Sequence, residues 1–164
     1  MNMRAILPLA LVSVLGVTTA AWPAPPTNAA GLSPCAFAAN EIKAVFGIVV
    51  ETTNAADMSL SDGRDVGCFY TVKGSSFTLA VRQIWKNSRS STPAPAKAAK
   101  GMRATALPGD PDGAVVQMQE TDEPGAGAEL VYVRGKVETH IVVKGGRLTG
   151  EEVRQLFPKL RRVP

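Results

Sequence analysis

Cys35 and Cys68 are the only two cysteines in the chain, and they constrain it more than any other feature. Cys35 heads a helical pattern in which Ile42, Val45 and Phe46 share one face and Phe37 lies close to it, with Gly47 as the expected stop. Cys68 sits in the alternating run Val66, Cys68, Tyr70, Val72, which reads as a strand. A bond between them ties a helix to the first strand of a sheet. In the chain-entropy model, closing a loop of this length stabilises a fold by roughly 3–4 kcal/mol. Zinc is the rival use of cysteine. It needs four ligands, and two cysteines with the lone His140, not closely spaced, do not supply them.

A disulfide requires an oxidising compartment, and the N-terminus points to one. Arg4 precedes an uncharged apolar run from Ala5 to Val17, followed by the small residues Thr18, Thr19, Ala20 and Ala21. This is the layout of a secretory signal peptide over residues 1–21, cleaved after Ala20 or Ala21. The run of 13 residues is short against the roughly 20 needed to cross a bilayer, and no later stretch is long and apolar enough. Cys35 lies well beyond the run and follows Pro34, which argues against a lipid anchor there. Residues 22–32, rich in Pro and Ala, read as a disordered leader. Residues 33–164 remain as one domain. The expected location is exported, periplasmic or extracellular, and the mature chain is expected to be soluble.

Along that domain, Ser33-Pro34 opens the first helix, with Asn40 as a second possible cap. Ile48–Thr52 is a brief β-branched run, and residues 53–65 read as a polar loop ending in an Asp62-Gly63 turn. A hairpin follows: Val66–Val72, a turn at Lys73–Ser76, then Phe77–Trp85. Residues 86–101 read as a loop with a short helix at 96–100. This stretch is expected to be exposed and mobile, and is the expected site of first proteolytic cleavage. Strand-like runs then occupy 114–120, 128–133 and 136–144. The C-terminal helix is marked by a capping box, Thr149 with Glu152, and by Val153, Leu156, Phe157 and Leu160 on one face. Pro158 should end or kink it.

These elements predict an α+β fold: a curved antiparallel sheet with helices packed on one face, one disulfide, and a loose internal repeat of helix and strands. Both helices are expected on the same sheet face, leaving Arg82, Glu138 and His140 on the wet one. The pattern Pro34-Cys35, Glu41, Phe46-Gly47 and then Gly67-Cys68-Phe69-Tyr70 resembles one found in small secreted or lipid-anchored bacterial domains of unknown function. Leu107-Pro108-Gly109-Asp110 is similar to a turn that opens their second half. The resemblance implies a fold and a disulfide over most of residues 34–160. It implies no activity and no functional residue.

No catalytic, metal or cofactor pattern emerges. The Asp57, Ser59, Ser61 spacing hints at a calcium loop but lacks its glycine and closing glutamate. His140 alternates out of phase with Val137, Ile141 and Val143, as a solvent-side strand residue does. No Gly-x-Ser-x-Gly elbow or phosphate-binding glycine loop occurs. Removing Arg4 with the signal peptide lowers the formal net charge of +4 by one, a mild excess that names no polyanionic partner. The charges are blocked, however. Lys86, Arg89, Lys97, Lys100 and Arg103 form a basic stretch, and six acids without a base follow between Asp110 and Glu129. Trp85 beside the basic stretch is a candidate partner anchor, although burial at the edge of the core is the commoner place for such a residue. Nucleic acid would want aromatics interleaved with the bases, and there are none. The expected function is a non-catalytic binding or scaffold protein of the bacterial envelope, contacting an envelope protein or an anionic envelope component. A secreted proteinaceous inhibitor of a hydrolase is the alternative.

Overall fold

The computed structural model describes residues 31–89 and 101–163. Its body is one seven-stranded antiparallel sheet. The strands are β1 (Thr52–Leu60), β2 (Gly63–Thr71), β3 (Thr78–Lys86), β4 (Met102–Ala106), β5 (Val115–Gln119), β6 (Ala128–Arg134) and β7 (Val137–Lys144). They lie in the order β1-β2-β3-β7-β6-β5-β4, so two meanders meet where β3 pairs with β7. Helix α1 (Ala39–Phe46) has eight residues and α2 (Gly150–Leu156) has seven, followed by a 3₁₀ turn, Phe157–Lys159. The expected α+β fold with helices packed on the sheet is therefore corrected to a mainly-β fold. Helices this short form no layer. The helix expected at 96–100, the counterpart of α1 in the expected repeat, lies outside the described residues.

The sheet has a dry inner face because every second residue is apolar. One register row crosses the strands as Cys68, Val81, Ile141, Leu130 and Val116, all buried. The row ends on Ala55 of β1 and Thr105 of β4, both exposed. Single side chains from short segments close this face: Phe37, Leu107, Leu160 and Val163 outside the helices, Ile42, Phe46 and Val153 within them, and Phe157 in the 3₁₀ turn. Leu32, assigned above to the leader, packs with Val66, Val137 and Trp85. β1 replaces the polar loop expected at 53–65, and all nine of its residues are exposed. The signal-peptide segment and most of the leader, and the helix and most of the loop expected at 86–101, lie outside the described residues.

Local signals act as read at the end of α1 and at both ends of α2. Thr149 Oγ1 accepts from the Glu152 amide at 3.2 Å, and the Glu152 carboxylate accepts from the Thr149 amide at 2.8 Å. Gly47 closes α1 at φ 70°, where a side chain would strain the backbone. Pro158 turns the end of α2 into 3₁₀ geometry.

The Cys35–Cys68 disulfide is present and joins the segment before α1 to the middle of β2. Replacing both cysteines by serine should cost about 3–4 kcal/mol of unfolding free energy in a urea titration. An unchanged midpoint would show that the cross-link adds nothing to the non-covalent contacts around it.

The chain's two tyrosines hold the segment before α1 and the segment after the 3₁₀ turn. The Tyr70 hydroxyl donates to the Phe37 carbonyl (3.1 Å) and accepts from the Phe37 amide (3.0 Å). The Tyr132 hydroxyl does the same with Val163, at 3.2 and 3.1 Å. Arg161 then bridges these segments, bonding Glu41 and the Ala36 carbonyl and lying over the Phe37 ring. Its guanidinium, hydrogen-bonded to Glu41, holds that carboxyl below its ordinary range. A carboxyl lowered in the folded state stabilises above the ordinary carboxylate range, and the contribution disappears as pH falls through the lowered value. Glu41→Gln should therefore flatten the acid limb of a stability–pH curve and leave its alkaline limb unchanged. A parallel shift of both limbs would assign Glu41 a packing role instead.

Candidate functional site

The outer face of the sheet carries a groove of about 570 Å³, within the range of small-ligand sites. Register explains it. The row Ala56, Gly67, Arg82, His140 runs across β1, β2, β3 and β7, and the next row is Asn54, Phe69, Ala80, Val142. Ala56, Gly67 and Ala80 supply a floor with almost no side chain. At Gly67 a Cβ would sit 3.2 Å from the Val81 carbonyl oxygen, so glycine both keeps the floor low and lets the strands approach. Met58 and Phe69 line the groove and remain about half exposed, at 53% and 52%. Large apolar side chains held in water this way favour a contact that covers them.

Charges rim the groove. Arg82 grips Asp65, with Nε 3.1 Å from both carboxylate oxygens and Nη2 2.5 Å from one. Asp65 is buried, whereas 58% of the Arg82 side chain is exposed. The Asp65 contact raises the Arg82 guanidinium above its ordinary value, so it is a fixed cation beside the apolar walls. Lys144 is a second cation in the lining. His140 is held on both sides, with Nδ1 2.7 Å from Glu129 and Nε2 2.7 Å from Glu138. Glu138 is in turn bonded by Arg89. Both ring nitrogens of His140 are thus engaged, and the two carboxylates lie on opposite edges of the ring, where they cannot converge on one ion. Among the described residues, no group of three or more His, Cys, Asp or Glu side chains is placed to hold a metal.

The basic stretch is not gathered into one surface by the described residues. Trp85 is partly buried against Leu32, Val66 and Val137, with a buried indole nitrogen. Lys86 is exposed at the end of β3. Arg89 is mostly buried on Glu138, and burial lowers its guanidinium from its ordinary value. Arg103 is exposed on β4, four strand spacings from β3, or roughly 19 Å. Lys97 and Lys100 lie outside the described residues. The sequence reading placed Arg82, Glu138 and His140 on the outer face, where they are found, but missed the groove itself. Phe69 was the available signal: a large aromatic out of phase with Val66, Cys68 and Tyr70 must point away from the core.

Comparison of the chain with family models, curated proteins and solved structures found no match.

Proposed function

We propose that this chain is an exported, non-catalytic binding module of the bacterial envelope, and that its outer-face groove takes an envelope component with an apolar body and an anionic end. The half-exposed Met58 and Phe69 beside a side-chain-free floor carry the reading, since they offer an apolar ligand area that water covers poorly. Arg82 and Lys144 at the rim suit a negative end. The disulfide and the signal-like N-terminus support export. Among the described residues, no helix is long and apolar enough to cross a membrane. The engagement of His140 at both nitrogens supports a binding role over proton transfer.

The test is a titration with anilinonaphthalene sulfonate, an apolar fluorophore with one anionic group. Saturable binding is expected, weakened about tenfold or more by Ala80→Phe, which fills the floor. Arg82→Gln should weaken it less. A titration that Ala80→Phe leaves unchanged would place the dye elsewhere and remove the groove from the proposal.

A further inference from the structure

We infer that β1 is a self-association edge, at which two copies of this chain pair their β1 strands antiparallel about a two-fold axis through Ala56. The inference is independent of what the groove binds. Edge strands in monomeric sheets are ordinarily blunted by lysine, proline, a bulge or shortness, because their free N–H and C=O groups recruit other strands. β4, the opposite edge, follows that rule, with five residues and a charge at Arg103. β1 does not. It spans nine residues, Thr-Thr-Asn-Ala-Ala-Asp-Met-Ser-Leu, with no basic residue and no proline. It pairs with β2 along its whole length without interruption, and each of its residues is exposed. Its one charge, Asp57, is already matched by Arg64 of β2, at 2.9 and 2.5 Å. The large apolar side chains exposed among the described residues are Val49, Met58, Leu60 and Phe69. All lie in β1, three residues before it, or opposite Asn54 on β2.

The strand is also complementary to itself. With Ala56 on the axis, all nine residues pair. Thr52 faces Leu60 of the second copy, Thr53 faces Ser59, Asn54 faces Met58, and Ala55 faces Asp57. No like charges oppose each other, which is the condition an antiparallel pair must meet. Directly opposed residues share a face, so Met58 of each copy stays on the outer side with Phe69. The pairing would set the two grooves side by side, since Ala56 and Met58 line each of them. A single strand pair buries little area, which suits a reversible dimer whose mass depends on concentration.

Sedimentation velocity of the exported chain, from micromolar to hundreds of micromolar, should show a shift from one chain mass to two. Ala56→Lys and Ala56→Glu each put like charges face to face on the axis, and each alone should sediment as a monomer. Mixed in equal amounts they should recover the two-chain mass. Ala55→Lys, which faces Asp57 of the second copy, should keep the dimer and tighten it at low salt. Circular dichroism of each variant checks that the exposed substitutions leave the sheet folded. A wild-type chain that stays monomeric throughout overturns the inference, including the case in which another segment of the same chain covers the edge. So does persistence of dimer in both single Ala56 variants, or failure of their mixture to recover it.

Discussion

Asp110→Ala is expected to lower the unfolding free energy by about 3–5 kcal/mol, because it strands a buried cation. Arg162 and Asp110 have side chains only 3% and 4% exposed, and their charged groups are in direct contact. Burial pushes the Arg162 guanidinium down to about 10, which still leaves it charged at neutral pH. The Tyr132 ring beneath it, 4.7 Å from the guanidinium carbon, does not neutralise it. Asp112 is 4.0 Å away and already answers Arg134, at 3.1 Å. Asp110 also shapes its own turn, accepting from the amides of Asp112 and Ala114 at 3.0 and 3.1 Å. Asp110→Asn keeps that acceptor and loses the charge, so comparing the two variants in urea separates turn from ion pair. A loss below about 1 kcal/mol in both would mean that water reaches Arg162 and the pair behaves as a surface one.

Phe157→Ala should cost a similar amount, about 3–5 kcal/mol, by opening a cavity in the core on the inner face. Phe157 is fully buried in the cluster that holds Val153 and Leu160. Leu156, on the same predicted stripe, is only partly buried, so Leu156→Ala should cost less. His140→Ala removes part-buried hydrogen bonds to Glu129 and Glu138 on the outer face and should cost least. Equal urea midpoints for Phe157→Ala and His140→Ala would contradict the division into a dry inner and a wet outer face.

What could be read from the chain follows from which contacts leave a periodic trace. Val66, Cys68 and Tyr70 alternate because one side is dry, and β2, β3, β5, β6 and β7 were all visible for that reason. β1 was hidden because it is wet on both sides, so small and polar residues satisfy it and no alternation arises. β4 was hidden for a related reason: four of its five residues are exposed. The error of fold class has the same root. The apolar stripes on α1 and α2 are real, but periodicity measures a face and says nothing of how many turns carry it. Helices of eight and seven residues place side chains on the sheet without forming a layer over it. The groove escaped detection because its floor is defined by missing side chains at Gly67, Ala56 and Ala80, on three different strands.

The tyrosine clamps and the Arg161 bridge fix how the domain can be displayed. Residues 36–41 and residue 161 meet behind the inner face, so the segment leading into α1 and the segment after the 3₁₀ turn lie together on the side away from the groove. A surface tether attached within either of these two segments therefore leaves the outer face pointing outward. Chains captured through either segment should present the same surface to an incoming molecule.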